Sequence, residues 1–501
     1  MWLRAQPGGG RCGKIDQLML MRALRTDSGW ATGRPSSWQA ANRQEGRMDS
    51  SMQMEAAPLA CPQPGRWKGR AALVGASLAF VLGAAHFFRS GQHGLACVCL
   101  VWAGLLWRPV AWLRRSAAVF LLGLTAEWGM TTLALARWRL QLGQDWLRMV
   151  CILGAVAALT LLAAAALRSR VCRRGEVSGP RAQALACLLV SGLLLLLDGL
   201  RPDLLLLHRL VPGWGAVQAL LAGLWAGLVY GWLADRRRAP VWRRRIWLLF
   251  SCVFFGQLLA GLFLHSLFLL QGVPHLPVPG LILSGPLYRG EGSLFMPGLF
   301  AVSLLLAGSA WCSHLCYLGV WDARAADAGP RSGRGVPALW RKMRWGLLAV
   351  SLLLPLGLRL AGLPWPWALV FALALGLALL PCALWLSRKL GLPVYCCGIC
   401  PLGMTANLLA RLSPWRLRRN EHCTGCGACA RVCRYGALRL DGDGRVAGPD
   451  WRCTLCRDCM SVCRHRALEI RCCGQGGAWV EQALLCSLSV LHTLFLFMGR
   501  V

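Results

Sequence analysis

The sequence predicts a polytopic α-helical membrane protein with a small cysteine-rich α+β domain near its C-terminus. Two observations predict this fold class. Of the 501 residues, 56% are hydrophobic, and the mean hydropathy is +0.49. The 25 cysteines include two runs of four with the same spacing. Long apolar stretches indicate helices in a bilayer, whereas a repeated cysteine run indicates a compact module that binds a metal or cofactor.

The first 66 residues differ from the rest of the chain. Residues 1–66 are rich in Gly, Arg, Gln, Ser and Met and lack a sustained helical or strand period, so they are predicted to be a disordered basic leader. No apolar segment with a small-residue cleavage site precedes residue 71, so we expect no secretory signal peptide. Met48 is an alternative start.

About ten apolar runs follow, each close to the roughly 20 residues that a helix needs to cross the hydrocarbon core. The predicted spans are 71–89, 94–113, 117–136, 149–167, 182–200, 214–234, 246–270, 294–311, 345–363 and 366–386. Residues 67–240 form an N-terminal membrane region of about six spans without an assigned role, and 241–415 form a second membrane region. In the C-terminal segment 473–501, an apolar run at 483–498 predicts either a short eleventh span or a helix on the membrane interface.

The net charge of +34 has two interpretations, nucleic-acid binding and membrane topology. Its position favours topology, because with a cytoplasmic N-terminus the basic groups between spans all fall on one side, as the positive-inside rule requires. These groups lie at 114–115, 168–174, 236–245 and 341–344. A nucleic-acid reader would gather its charge on one soluble face. We therefore expect the lipid bilayer and no nucleic acid as a partner, and a bacterial inner membrane location with the cysteine-rich domain in the cytoplasm.

The two cysteine runs lie in residues 416–472 and repeat one spacing thirty positions apart. Thiolates at two-residue gaps are ligands of 4Fe–4S clusters, and in two-cluster ferredoxins the fourth cysteine of each run binds the other cluster. The expected first set is Cys423, Cys426, Cys429 and Cys463, and the expected second set is Cys453, Cys456, Cys459 and Cys433. A zinc module would show separated cysteine pairs, and a disulfide framework would need an oxidising compartment. The spacing therefore predicts a bacterial-type ferredoxin with two clusters.

The segments after the two runs also resemble each other. Tyr435–Leu440 and His465–Ile470 match after each fourth cysteine, as the halves of a duplicated fold should. Each half is predicted to contain a cysteine-bearing loop, a short helix and a short strand.

Two further cysteine pairs, both Cys-x3-Cys, follow apolar spans at their predicted cytoplasmic ends. They are Cys312 with Cys316 and Cys396 with Cys400, which we call together the paired-cysteine site. Residues four apart on a helix lie on nearly the same face, so each pair could present two thiols in one direction. If the two loops meet, the four thiols form either a thiolate metal site or a pair of redox-active dithiols.

This double Cys-x3-Cys(-Pro)-Leu/Phe-Gly pattern, followed by a two-cluster ferredoxin, resembles the NapH and NosR family of membrane polyferredoxins over about 245–470. The resemblance implies electron transfer between a quinone pool or a cytoplasmic donor and a respiratory reductase. It also implies that the paired-cysteine site corresponds to the family's paired motifs. The sequence departs from the family at Tyr317, Arg434 and Arg464, where prolines are usual, and it shows no flavin-attachment motif.

Four histidines, one glutamate and one loop in or near the apolar runs are candidates for cofactor binding or proton transfer. Haem is disfavoured, because axial pairs need matching depth, and of His86, His265, His314 and His492 only His265 is predicted well inside a helix. Glu127 is either a group on a proton or quinone path or a paired structural carboxyl. A proline-rich loop at 274–292 is a candidate cap for a quinone pocket, or simply a rigid loop.

The remaining cysteines are predicted not to bind clusters. Those in apolar runs are interpreted as small apolar residues of helices, namely Cys97, Cys99, Cys151, Cys187, Cys252 and Cys382. A further four near the motifs are set aside as non-ligands, namely Cys397, Cys472, Cys473 and Cys486.

The function predicted from these features is one-electron transfer at a membrane surface. No nucleophile–base pair, phosphate-binding loop or dinucleotide-binding signature is evident, which favours an electron-transfer component without substrate chemistry of its own. The alternative is a membrane factor for metal-centre assembly or redox-sensing regulation. A transporter that carries a ferredoxin is a third hypothesis.

Overall fold

The computed structural model describes residues 66–108, 110–168, 180–269, 280–289, 294–330, 338–442 and 445–498. These belong to one compact unit, Pro64–Val501. The predicted disordered leader, up to residue 65, lies outside the described residues. Of the predicted proline-rich loop, 274–279 and 290–292 also lie outside them, but Leu281–Arg289 is a helix, so the loop prediction is wrong for that part.

Nine helices of the described part of the chain are long and apolar enough to cross a membrane. Their apolar spans are Ala71–Arg89, Ala111–Gln141, Leu147–Arg168, Arg181–Leu200, Gly215–Ala234, Ala239–Phe263, Phe295–His314, Lys342–Leu360 and Ala478–Phe497. The protein is therefore a mostly helical, multi-pass membrane protein.

The second predicted span is shorter in the structure than the sequence indicated. In place of 94–113 there is a 13-residue helix, His93–Leu105, of about 20 Å at 1.5 Å per residue. Its end precedes Pro109, and proline disfavours helical geometry in the residue before it. The next helix, Ala111–Gln141, takes up the remainder of the predicted span and has 31 residues.

The tenth predicted span, 366–386, lies in the helix Trp365–Leu390, which has no charged residue before Arg388. This helix ends at Gly391, whose φ of +64° is the left-handed conformation typical of a C-terminal cap.

The C-terminal apolar run forms a bundle helix, Ala478–Phe497, of 20 residues. It packs against the helices Pro180–Leu200 and Gly215–Ala234. Gln218 Nε2 donates to the carbonyl of Phe497 at 2.7 Å. Of the two options that the sequence left open, the structure therefore favours a helix inside the bundle over one lying on the interface.

Shorter elements surround the paired cysteines and complete the membrane region. A 3₁₀ turn at Gly308–Ala310 leads into the helix Trp311–His314, and a π-helical turn at Tyr395–Ile399 leads into Pro401–Leu409. The other helical elements are Pro202–Leu204, Leu206–Leu210, Ser266–Phe268, Leu281–Arg289, Gly319–Asp327 and Ala338–Leu360.

The cysteine-rich domain contains two strands and two short helices. The strand Trp415–Arg419 (β1) pairs antiparallel with Leu468–Cys472 (β2), with Leu417 opposite Ile470. The helices are Ala428–Val432 and Asp458–Val462. The strand predicted after Cys433 is wrong, because Leu440 makes only an isolated bridge to Val446. Asp441 and Gly442 follow Leu440 directly and favour a turn there.

The backbone of this domain repeats as the sequence repeats. Positions two and four after the first cysteine of each run, and three after the fourth, all have positive φ. The first half has glycine at all three positions, where such angles cost little. The second half has other residues there. The pairs are Gly425 with Leu455, Gly427 with Arg457, and Gly436 with Arg466.

One hydrophobic core joins the cysteine-rich domain to the membrane helices. It includes Leu304 of a membrane helix, Leu468 and Ile470 of β2, and Leu484 and Leu488 of the C-terminal helix. Because these side chains bury each other, the domain is packed against the bundle rather than held by a free linker.

Candidate metal centres

The second cysteine set lines one cavity. Cys453, Cys456 and Cys459 come from one run and Cys433 from the other, and the apolar residues Leu417 and Ile470 complete the wall. The structure thus brings together the four thiols that are expected to bind one cluster if the fourth cysteine of each run crosses to the other set. Four thiols around one cavity fit the donor chemistry of a 4Fe–4S cluster, and we retain their role as ligands as a prediction.

Burial determines the pKa values of three thiols of this set. Desolvation raises the pKa of Cys453 to about 12 and raises the pKa of Cys456 and Cys459 above their ordinary value. These thiols stay protonated at neutral pH unless a metal takes the place of the proton.

The first set lies at a more exposed end of the domain. Cys426 is exposed, and the Cys429 thiol lies within electrostatic range of Cys426 and Cys463. Backbone N–H groups of Gly425 and Val446 lower the pKa of Cys423. This set therefore has a different electrostatic environment from the second set.

The fourth cysteine of each run accepts an equivalent backbone hydrogen bond. Ala437 N–H donates to Cys433 Sγ at 3.3 Å, and Ala467 N–H donates to Cys463 Sγ at 3.2 Å. Hydrogen bonds to sulfur are among the factors that tune cluster potentials. The duplicated sequence therefore gives both crossing thiols the same support.

The two pairs of the paired-cysteine site are distant in the sequence, but all four cysteines line one cavity. The cavity is also lined by Arg344, Tyr395, Tyr435, Arg452 and Thr454. The helical-face explanation for each pair is wrong, because neither pair lies on a continuous helix. The helix that carries Cys312 ends at His314, before Cys316. Cys396 lies in the π-helical turn, and Cys400 follows it as the N-cap of Pro401–Leu409. The thiols converge because the chain bends at both motifs.

Backbone and carboxylate contacts fix the second motif. Cys400 Sγ accepts from the backbone N–H of Gly403 at 3.3 Å, at the start of a helix whose dipole favours a thiolate. Asp322, which is buried, accepts from the backbone N–H of Cys396 at 2.8 Å and from Ser387 Oγ at 2.6 Å. Burial raises the pKa of Asp322 to about 6 and that of the Cys400 thiol to about 12.

Ion pairs attach the loop of the second set to the membrane helices. Arg243 donates to both carboxylate oxygens of Asp458, at 3.1 and 2.9 Å, and to the carbonyl of Ser313 at 3.1 Å. Arg457 pairs with Glu481 and donates to the carbonyl of Leu233 at 2.8 Å. The positive φ of Arg457 is thus held by two buried contacts.

The arginine that replaces a usual proline after Cys433 has a structural role. Arg434 Nε contacts Asp327 Oδ1 at 2.9 Å, and its Nη1 donates to the carbonyls of Ala326 and Gly391 at 2.7 and 3.0 Å. A proline could make none of these contacts, so this departure from the family pattern fastens the domain to the membrane region.

His86, His265 and His314 each have a polar partner, whereas neither ring nitrogen of the buried His492 makes a hydrogen bond within the described residues. His86 Nε2 lies 3.5 Å from Glu127 Oε1, which favours the paired structural carboxyl for Glu127. His265 was wrongly predicted inside a helix. The helix ends at Phe263, and His265 caps the next turn by accepting from Leu267 N–H at 3.0 Å. His314 Nδ1 lies 3.0 Å from the Ala310 carbonyl, and His492 packs on Phe250.

Besides its four cysteines, the paired-cysteine site involves four residues that the sequence did not indicate. Cys397 had been set aside, yet it lines the same cavity. Arg344 and Arg452 line it too, and Asp322 supports its loop. Arg344 was visible only as a member of a basic group that indicates topology, and Cys397 only as a neighbour of Cys396. Of the cysteines set aside, Cys472 ends β2, Cys473 is exposed and Cys486 is buried in the C-terminal helix.

The described residues contain no group of three or more His, Cys, Asp or Glu placed to hold a single metal ion. The ligands of one zinc ion surround a single atom, whereas each thiolate of a cubane cluster binds a different iron and stands farther from the others. The second set places four thiols with the ferredoxin spacing around one cavity, which fits the donor set of a cluster.

Two segments match families of known iron–sulfur proteins. Residues 422–470 match the 4Fe-4S dicluster domain, and residues 288–323, which contain Cys312 and Cys316, match a 4Fe-4S binding domain. No curated protein and no solved structure matches the chain. The fold and the two matches define a class, the iron–sulfur membrane proteins with ferredoxin domains. Within it, the chain is a polyferredoxin-like protein.

Proposed function

We propose that this protein passes single electrons between a quinone pool or a cytoplasmic donor and a respiratory or reductase partner, as a NapH/NosR-type component of a bacterial inner membrane. The observation that carries the proposal is the asymmetry of the two cysteine sets. One set has an exposed cysteine, and the other is packed against membrane helices. An electron carrier between a soluble protein and a membrane needs one cluster near the protein surface and one near the membrane.

The exposed end is suited to a soluble donor. Beside Cys423 lies an open cavity that is lined by three arginines, Arg419, Arg445 and Arg471, and by Glu421 and Glu469 among others. Arg471 pairs with Glu469 and Arg419 lies 3.6 Å from Asp441, which leaves Arg445 as the arginine of this cavity without an ion pair in the described residues. A positive charge at a surface favours an acidic partner and raises its association rate at low salt.

The buried end is suited to transfer toward the membrane. Ser313 Oγ, at the end of a membrane helix, donates to the carbonyl of Thr454 in the loop of the second set at 2.8 Å. Together with Arg243 and Asp458, this contact holds the second set at a fixed place beside the bundle. When bound, the clusters would supply one-electron redox chemistry. The residues of the chain would set position, exposure and charge.

Membrane vesicles that contain the full chain provide the test. After reduction with dithionite, we expect added quinone to reoxidise the iron–sulfur absorbance, and vesicles with Cys453→Ser to respond less. Clusters that neither a quinone nor any membrane reductase reoxidises would contradict the proposal. If deletion of the gene blocks only the maturation of another metalloenzyme, the assembly or redox-sensing role replaces it.

A further inference from the structure

The strongest unexplained feature is a buried cation without a partner. Arg344 is 3% exposed, and its Nε and Nη2 have no hydrogen-bond partner among the described residues. Its guanidinium rests over the ring of Trp451, 5.7 Å from the centroid, and no carboxylate of the described chain pairs with it. A guanidinium keeps its charge in proteins, and an uncompensated buried charge is costly. An anion is therefore expected beside Arg344.

The cavity of the paired-cysteine site is where that anion fits. Arg344 lines it together with Arg452 and Thr454. Arg452 is also 3% exposed, and it pairs with Asp450 through Nε and Nη2. Its Nη1 and the hydroxyl of Thr454 are buried without partners in the described residues. Four unpaired donor atoms on three side chains thus belong to residues that line the same cavity as the four thiols.

The possible states of those thiols differ in charge. Neutral thiols or two disulfides would leave Arg344 uncompensated. Four thiolates on a metal centre carry net negative charge and would satisfy it. A single zinc ion with four thiolates would also be anionic, but residues 288–323, which contain Cys312 and Cys316, match a 4Fe-4S binding domain. A four-iron cluster fits both the charge and this match.

The position of the cavity gives such a cluster a neighbour. Tyr435 and Thr454 line both this cavity and the cavity of the second set. Cys397 packs against Tyr435, and Cys396, Cys433 and Cys456 adjoin them. Only one layer of side chains separates the two sites.

We propose that Cys312, Cys316, Cys396 and Cys400 hold a third 4Fe–4S cluster whose negative charge is compensated by Arg344, with Arg452 and Thr454 as further hydrogen-bond donors. The site extends the electron route from the ferredoxin domain to the ends of the membrane helices. One electron that moves from the second set to this site oxidises the former and reduces the latter, with no bond or proton transferred. This inference rests on the iron–sulfur function proposed above.

Iron and sulfide content of the anaerobically reconstituted full chain tests the site. Wild type should contain about twelve iron and twelve sulfide, and Cys396→Ser or Cys400→Ser about eight, with the ferredoxin signals in paramagnetic resonance retained. Cys473→Ser, at an exposed cysteine that lines neither cavity, is the control and should keep about twelve. Wild type with about eight iron, or Cys400→Ser with unchanged iron, overturns the third cluster but leaves the ferredoxin function intact. No iron at all would refute the proposed function itself.

The midpoint potential of the third cluster tests whether Arg344 compensates its charge. Arg344→Met should keep about twelve iron and lower the midpoint potential of the third cluster, because reduction would add negative charge without a neighbouring cation. Arg411→Met is the control. Arg411 also rests 5.7 Å from the Trp451 ring, but it is exposed and does not line the cavity. If Arg344→Met loses iron, Arg344→Lys should restore it. Equal potentials in wild type and Arg344→Met would overturn the role of Arg344.

Discussion

At the scale of single residues, the cysteines differ more in environment than their repeated spacing indicates. The sequence predicted which eight cysteines belong to the ferredoxin because spacing alone carries that information. It could not predict Arg344 or Asp322 as part of a site, since their roles depend on contacts between segments that are distant in the sequence, such as Asp322 with Cys396. Cys397 was missed for the same reason.

Crossed ligation can be tested by combining substitutions. Cys433→Ser and Cys453→Ser should each remove the same cluster, because both thiols line one cavity. The double variant should then lose only about four iron, whereas Cys433→Ser with Cys423→Ser should lose about eight. Iron analysis after anaerobic purification measures this. The reverse pattern would assign Cys433 to the nearer cluster.

Asp322 should give the fold a pH dependence. Its pKa is raised to about 6 by burial, so the protonated form stabilises the fold below the ordinary pKa of an aspartate. That stability is lost as the pH rises from about 4 through about 6, by roughly 3 kcal/mol for a shift of about two units. Asp322→Asn, which is always neutral, should remove this loss in thermal melts of the chain in detergent.

The control for this measurement is an exposed carboxylate. Asp235→Asn, in the loop after Ala234, should leave the pH profile of the melting temperature as in wild type, because its side chain is half exposed. Parallel profiles for wild type and Asp322→Asn between pH 4 and 7 would show that Asp322 is not the titrating group.

At the scale of elements, the ferredoxin loops are held by the membrane helices as much as by their own strands. Hydropathy located the long helices well, since lipid imposes a minimum length on each. It failed for 94–113, where Pro109 divides an apolar run into the end of one helix and the start of another. It also shortened the C-terminal helix, whose first turn contains Glu481. That carboxylate is paired with Arg236 and Arg457 and so tolerates burial.

The pair of Arg243 and Asp458 should be the most sensitive of these contacts. Arg243→Met leaves a buried carboxylate short of its main partner, with Arg244 remaining at 3.5 Å, and should destabilise the fold by about 3–5 kcal/mol. We expect a lower melting temperature and loss of iron from the second set. Arg245→Met is the control, because Arg245 is exposed and contacts only the Trp242 ring among the described residues, at 5.2 Å. Similar effects of both substitutions would contradict this role.

At the scale of the whole molecule, a shared core packs the ferredoxin domain against the bundle, and the charge pattern predicts the side of the membrane on which it lies. Most of the long helices could be predicted from hydropathy, whereas the side on which the basic groups lie stays a prediction. Packing of the ferredoxin domain against the bundle could not be predicted from the sequence, because no local pattern indicates that Leu468 and Leu484 share one core.

Topology reporters test the predicted sidedness. A reporter fused after Arg238, between the helices Gly215–Ala234 and Ala239–Phe263, should be cytoplasmic. One fused after Gly362, between the helices Ala338–Leu360 and Trp365–Leu390, should lie on the opposite side. Activity of both reporters on the same side would contradict the positive-inside assignment, and with it the cytoplasmic location of the ferredoxin domain.

The central claim is that this membrane protein carries interacting iron–sulfur clusters in its ferredoxin domain. Paramagnetic resonance of the dithionite-reduced full chain, purified anaerobically in detergent, tests it most directly. The account predicts the spectrum of magnetically coupled reduced 4Fe–4S clusters, simplified in Cys433→Ser by the loss of one partner. A chain that binds zinc in place of iron, or that shows no iron–sulfur signal after reconstitution, would contradict it.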